Sequence, residues 1–250
     1  MVARRGVISL RGALFVATVL EALSRCGGTD VCGGAGHLVK RPRAVFSDID
    51  GTIVHYYRGG AKGVEVVEED CEAMTGVVRD ASGSERKCRL LSSSRLGNGF
   101  ISLPTIDKIN KLRAKGLRVT LVTGARTTTM LKRIPTLPLV DALVCESGSC
   151  ILYPETGRDG ETYWGADLEW RERIRSVVGD QKEPLPPPEK RQGALWDLYR
   201  RLLEQGMRAD ALGYTASFRV IPRDDAERDA LERLRSEIEG GELACRCNLG

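Results

Sequence analysis

Three short apolar runs, each ending in polar or glycine residues, constrain the fold of this chain most strongly. Residues 44–46 lead into Ser-Asp-Ile-Asp-Gly-Thr, residues 117–122 into Thr-Gly, and residues 140–145 into Glu-Ser-Gly. Continuous apolar runs of this kind are typical of strands buried on both faces. Helical patterns at 105–116 and 127–133 separate them. Strands that alternate with helices over short connections predict right-handed crossovers and therefore an α/β fold with a doubly wound parallel sheet.

The ends of the first helix and the segment before it carry weaker signals. Pro104 and Thr105 are expected to open the helix, with Thr105 as the N-cap, and Gly116 to close it. Residues 55–103 are rich in glycine, serine and charged residues, so we expect only short strands of a flap there.

The pattern changes after about residue 153. Four of the five residues 184–188 are proline, which favours an extended link. The segments around it predict a separate α/β unit. Helices are expected at 168–178, 195–205 and 225–239, and strands at 216–221 and 242–247. We therefore predict a first domain at 41–153, which includes the flap, and a second at 154–250.

Composition excludes several classes of protein. The 250 residues carry 38 basic and 34 acidic side chains, a net charge of +4, which does not call for a nucleic-acid partner. Aromatic residues make up only 5%, too few to favour a base-stacking surface. No apolar run reaches the roughly 18 residues of a membrane span. The eight cysteines form no Cys-x-x-Cys pair, and with two histidines they give no familiar zinc set, so we expect reduced, mostly buried thiols.

The first 40 residues stand apart from the rest. Arg4, Arg5 and Arg11 precede the first acidic residue, Glu21, and a short apolar stretch ends at Leu20. An arginine-rich, acid-poor start fits a transit peptide to a plastid or mitochondrion, and the apolar stretch also fits a secretory signal. A disordered extension of a cytoplasmic protein is an equal alternative.

The candidate chemistry lies at two strand ends. Asp48 and Asp50 follow the first strand, and Gly51 permits a tight departure. Carboxylates this close repel one another unless a cation binds or one carries a proton, and Mg²⁺ favours such oxygens. A carboxylate can also attack phosphorus, while a second transfers protons. Thr123 and Gly124 end the next strand, where a hydroxyl and a backbone N–H could hold phosphate.

These residues carry a resemblance to a known family. Phe46-Ser-Asp-Ile-Asp-Gly-Thr-Ile resembles motif I of the haloacid dehalogenase-like (HAD) phosphatases, and Leu121-Val-Thr-Gly-Ala-Arg resembles their motif II. Val144-Cys-Glu-Ser-Gly is similar to the third strand end of the branch with a large α/β cap, which includes sucrose-phosphate phosphatase-like and Cof-type enzymes. The resemblance covers about residues 40–250 and implies that 154–250 form the cap.

Carried over to this sequence, the resemblance implies a Mg²⁺-dependent hydrolase of phosphate monoesters, acting on a sugar phosphate or a similar small metabolite. Asp48 would be the nucleophile and a Mg²⁺ ligand. Asp50 would be the general acid/base and would bind Mg²⁺ through its carbonyl. Thr123 and Gly124 would hold the phosphoryl group, and Arg126 would reach the substrate.

The sequence also departs from the family pattern. Ser147 stands where the branch often has asparagine, and the lysine of motif III and the Gly-Asp-x-x-x-Asp loop of motif IV are not found through residue 250. Without the strands of motif IV, the strand at 44–46 would become a sheet edge and metal binding would weaken. The alternative is therefore an inactive fragment, or a binding module without turnover. Glu146 reads equally well as a solvated loop residue or a functional one, and the oligomeric state stays open.

Overall fold

The computed structural model describes residues 43–56, 65–94, 97–179 and 185–239. The chain divides into two compact units, the first ending at Asp167 and the second beginning at Leu168. The predicted targeting segment at 1–40 and the predicted strand at 242–247 lie outside the described residues. The described residues contain no helix that is both long and apolar enough to cross a lipid bilayer.

The first unit contains ten strands and two α-helices among its described residues. They are β1 (Ala44–Asp48), β2 (His55–Tyr56), β3 (Glu65–Asp70), β4 (Thr75–Arg79), β5 (Glu85–Ser94), β6 (Gly97–Ser102), α1 (Leu103–Ala114), β7 (Arg118–Val122), α2 (Thr127–Arg133), β8 (Ala142–Cys145), β9 (Cys150–Thr156) and β10 (Thr162–Ala166).

The main sheet confirms the predicted α/β fold with parallel strands. Its order is β1-β7-β8-β9-β10, in which β1, β7 and β8 run parallel and β9 and β10 return antiparallel. Every residue of β8 is buried, as its apolar run predicts. Strand β1 is half-buried along its length, because it lies at the end of the strand order and pairs only with β7 among the described strands. Since β10 continues this sheet to Ala166, residues 154–166 belong to the first unit.

The segment predicted as a flap is a full antiparallel sheet in the order β2-β6-β5-β4-β3. In β5, the alternate residues Cys88 and Leu90 are buried on one face. The charged residues of this segment make that alternation hard to recognise in the sequence. Tyr56 and Ile101 from this sheet pack in the same core as Leu121 of the main sheet. The antiparallel sheet is therefore an integral part of the first unit.

Helix α1 is capped differently from the prediction. Ser102 is the N-cap, and its hydroxyl accepts the Thr105 N–H at 3.3 Å, so Thr105 lies inside the helix. Pro104 occupies the first turn, where no backbone donor is needed. At the other end Gly116 adopts φ +82° as predicted, and its N–H donates to the Arg113 carbonyl at 2.8 Å.

The second unit confirms the three predicted helices. They are α3 (Leu168–Val178), α4 (Ala194–Glu204) and α5 (Asp225–Glu239), with a two-stranded ribbon of β11 (Ala209–Asp210) and β12 (Arg219–Val220). The predicted strand at 216–221 is therefore much shorter than expected. Trp196 is fully buried and packs with Val178 and Tyr199 in the core of this unit.

Candidate active site

The two predicted strand ends lie side by side. Asp48 at the end of β1 is the Cα partner of Val122 in β7, so Thr123 and Gly124 follow at the same edge of the sheet. The carboxyl ends of parallel strands are where open α/β sheets bind ligands. Asp48 is half-buried, and within the described part of the chain its carboxylate has no hydrogen-bond or ion-pair partner.

A tight turn carries the chain from Asp48 past Asp50. The Gly51 N–H donates to the Val54 carbonyl at 2.7 Å, and the Ile49 carbonyl accepts the Val54 N–H at 2.9 Å. Gly51 adopts φ +85°, a conformation that favours glycine. The side chain of Ile49 is fully buried. The turn is therefore fixed at both sides of Asp50.

Asp50 is held by three side chains. Its Oδ1 accepts a hydrogen bond from Arg133 Nη1 at 2.9 Å and another from the Tyr56 hydroxyl. From the described part of the chain, its Oδ2 accepts one hydrogen bond, from the Thr123 hydroxyl at 3.3 Å. Arg133 Nη2 also donates to the Tyr56 oxygen at 2.7 Å, which closes a small network. One carboxylate oxygen is thus fully engaged, and the other carries one long hydrogen bond.

Sequence reasoning missed Arg133 and Tyr56. Arg133 ends helix α2 and is only 3% exposed. It lies three residues after Met130, which is fully buried, and this spacing places both on one face of the helix. A buried arginine requires a counter-ion. The two nearby aspartates in the sequence, Asp48 and Asp50, were therefore the signal that could have predicted a partner for Arg133.

Thr123 connects the loops after β7 and β8. Its hydroxyl accepts the Ala125 N–H at 3.0 Å, and its carbonyl accepts the Ser147 N–H at 3.1 Å. A Cβ added to Gly124 would lie 3.3 Å from Ser147 Oγ, a tight contact between the loops after β7 and β8. Thr123 is itself buried, and the hydroxyl predicted to hold phosphate donates to Asp50.

Glu146 is buried rather than solvated. It adopts φ +52°, and its Oε1 accepts the Thr127 N–H at 3.2 Å and the Thr127 hydroxyl at 2.9 Å. The carboxylate therefore anchors the start of helix α2, which positions Arg133 at the other end. Arg126 is the half-buried residue immediately before α2. No described contact joins Arg126 to Asp50.

The donors at this edge fit a hard cation in part. Among the described residues no group of three or more His, Cys, Asp and Glu side chains could hold a metal. Mg²⁺ in proteins nevertheless often uses only one or two carboxylates, with water and substrate phosphate as the other ligands. The carboxylate of Asp48 is available for this role, whereas that of Asp50 is already paired with Arg133.

No protein-family model matches the chain, and no curated protein matches it. Among solved structures, it is similar to a phosphatase of the haloalkanoate (HAD) enzyme superfamily from Bacteroides thetaiotaomicron, with 15% identity and a TM-score of 0.31 over 72% of this chain. It is also similar to a hypothetical protein from Geobacillus kaustophilus, with 14% identity and a TM-score of 0.28, covering 78% of this chain and 76% of that one. The chain spans only 41% of the Bacteroides protein, and neither likeness bears on activity.

Proposed function

We propose that this chain belongs to the HAD-type phosphatases and hydrolyses a small phosphate monoester, such as a sugar phosphate, with Mg²⁺. The observation that carries the proposal is the Asp48 carboxylate at the end of a parallel strand, which has no partner among the described residues and lies beside an Asp50 that is fixed in place. The resemblance of 46–53 to motif I supplies the reaction class. Of the range 154–250 predicted as a cap, the part from Leu168 onward, which belongs to the second unit, is proposed to select the substrate.

The reaction divides between the two aspartates. An oxygen of Asp48 attacks phosphorus, the bond from phosphorus to the ester oxygen breaks, and an aspartyl-phosphate forms on Asp48. Asp50 gives a proton to the departing oxygen and then takes one from the water that releases phosphate. Within Asp50, Oδ2 is the oxygen for this proton, because Oδ1 already accepts two hydrogen bonds.

The remaining groups orient the reactants. Asp48 and the Asp50 carbonyl would hold Mg²⁺, which when bound neutralises charge on the phosphoryl oxygens. The Gly124 N–H and Arg126 are proposed to contact the phosphoryl group or the rest of the substrate. Thr123 keeps Asp50 Oδ2 directed toward this edge of the sheet.

One observation favours a second candidate, a module that binds phosphate or metal without turnover. The Asp50 carboxylate is ion-paired with Arg133, with 2.9 Å between Oδ1 and Nη1. A carboxylate in such an ion pair must still accept and release a proton if catalysis is to occur.

Steady-state assays with p-nitrophenyl phosphate and a panel of sugar phosphates, with and without Mg²⁺, test the proposal. We expect Mg²⁺-dependent release of phosphate and its loss in Asp48→Asn, since an amide cannot form the acyl-phosphate. Asp107→Asn on the exposed face of α1 is the matched control and should retain full turnover.

A thermal melting experiment distinguishes the binding module from the phosphatase. Beryllium fluoride with Mg²⁺ mimics an aspartyl-phosphate, and a ligand at 100 times its Kd stabilises the folded protein by about 2.7 kcal/mol. Stabilisation without any turnover would favour the binding module. An Asp48→Asn variant that keeps turnover within a few-fold would exclude Asp48 as the nucleophile.

A further inference from the structure

Arg133 places a buried positive charge beside Asp50. Its Nη1 lies 2.9 Å from Asp50 Oδ1, and its Nη2 lies 2.7 Å from the Tyr56 hydroxyl. The guanidinium also lies over the Tyr56 ring, with 5.9 Å from Cζ to the ring centroid. Because the side chain is only 3% exposed, solvent and salt screen this charge weakly.

We propose that Arg133, together with Tyr56, is the positioning residue that keeps the Asp50 carboxylate off the cation and reserves it for proton transfer. Two carboxylates this close in sequence would otherwise tend to share a divalent ion. Arg133 opposes this in two ways. It occupies Asp50 Oδ1, and its own charge repels a dication from that side.

The same geometry directs the other oxygen. Tyr56 and Arg133 fix Oδ1 from the buried side, so rotation of the carboxylate is restricted and Oδ2 stays near the Thr123 hydroxyl. This inference rests on the proposed function only in placing Mg²⁺ and a phosphoryl group at this edge. Arg133 lies 83 positions away from Asp50 in sequence.

Removal of the Arg133 charge should therefore tighten metal binding and slow catalysis. In Arg133→Met, the released Asp50 carboxylate can join Asp48 on the ion. Since Arg133 Nε has no hydrogen-bond partner among the described residues, the substitution removes the hydrogen bonds of the two Nη atoms and the cation–π contact with the Tyr56 ring. Arg133→Gln is a second neutral variant with a polar side chain, and it carries the same expectation if the methionine variant fails to fold.

Calorimetric titration with MgCl₂ alone is the decisive measurement, because it needs no turnover. We expect affinity at least about tenfold tighter in Arg133→Met than in the unmodified chain, from the gain of a ligand and the loss of a repelling charge. Arg133→Lys keeps the charge and should stay close to the unmodified value. Adding Asp50→Asn to Arg133→Met should return the affinity to that value, because the released carboxylate is then absent.

Arg113→Met provides the matched control. Arg113 also lies in the last turn of a helix and is also paired with an aspartate, Asp141, with 3.2 Å between Nε and Oδ2, but it lies outside the candidate site. Its loss should leave both Mg²⁺ affinity and turnover unchanged. In the phosphatase assay, Arg133→Met should lower kcat with a much smaller change in KM, and Arg133→Lys should restore part of kcat.

The outcomes separate this inference from the proposed function. If no variant hydrolyses a phosphate ester but the pattern of Mg²⁺ affinities holds, the hydrolase proposal fails and the role of Arg133 toward the cation stands. If the chain is an active phosphatase but folded Arg133→Met or Arg133→Gln binds Mg²⁺ no more tightly than the unmodified chain, the inference about Arg133 is wrong.

Discussion

Gly99 offers a test of whether the antiparallel sheet controls the candidate site. It lies in β6 as the Cα partner of Tyr56 in β2. A Cβ added there would lie 2.8 Å from Val54 Cγ1 and 2.9 Å from Tyr56 Cε1, whereas ordinary contacts begin at 3.4 Å. In Gly99→Ala the Tyr56 ring must therefore move by about half an ångström, and its hydroxyl is bound to Asp50 and Arg133.

The expected cost has two components. Overpacking a well-packed core destabilises by about 1–3 kcal/mol, which at a urea m-value of about 2 kcal/mol/M lowers the unfolding midpoint by roughly 1 M. A misplacement of about 1 Å can reduce catalysis by roughly 100-fold, so the smaller shift of Asp50 through Tyr56 should lower kcat about tenfold. Urea unfolding followed by circular dichroism and the phosphatase assay measure the two effects separately.

Gly76→Ala is the control for this experiment. Its added Cβ would lie 2.8 Å from the Glu68 carbonyl oxygen in the same sheet, so it should destabilise at least as much as Gly99→Ala. It touches neither Tyr56 nor Asp50, so kcat should be unchanged. The reasoning is refuted if Gly99→Ala unfolds at the unmodified midpoint, or if the two variants lose turnover equally.

Two further predictions concern titrating groups. Burial raises the pKa of Asp141, but the Val119 N–H at 2.8 Å and the Arg113 guanidinium lower it more, and the net pKa is below the usual range. Asp141 therefore stabilises the fold above its unfolded pKa of about 3.9, and this contribution is lost as the pH falls through the pKa of the folded state. The urea midpoint of Asp141→Asn should therefore approach that of the unmodified chain below about pH 4. Burial raises the pKa of the Cys145 thiol, and the nearby Cys150 and Glu146 raise it further. Iodoacetamide at pH 8 should therefore alkylate the exposed Cys71 before Cys145, and should reach Cys145 only on unfolding. Rapid labelling of Cys145 in the folded chain would contradict this prediction.

The elements that could be predicted from the sequence are those fixed by local patterns. Strand β8 and helix α5 follow directly from a continuous apolar run and from apolar residues at helical spacing. The antiparallel sheet was underestimated because its strands expose charged residues on one face, as in β3, where five of six residues are exposed. Such strands can be identified from their pairing with neighbouring strands in the structure, but not from their own composition.

The candidate site divides in the same way. Asp48, Asp50 and Thr123 could be located because each follows an apolar strand, and neighbouring parallel strands end at one edge. The partners of Asp50 could not be located in this manner, because Tyr56 and Arg133 reach it from a different sheet and from the end of a helix. Tyr56 follows Asp50 by only six residues, whereas Arg133 is 83 residues away and is brought to Asp50 by tertiary packing.

This convergence has a physical consequence for the site. An aspartate next to a buried arginine is costly to separate from it, since loss of either partner leaves an uncompensated charge. The pair therefore fixes Asp50 more firmly than hydrogen bonds from the turn alone, while Asp48, with no partner among the described residues, stays available to a ligand. Two aspartates two positions apart thus acquire different environments, and the difference comes from β2 and α2 rather than from the strand that carries them.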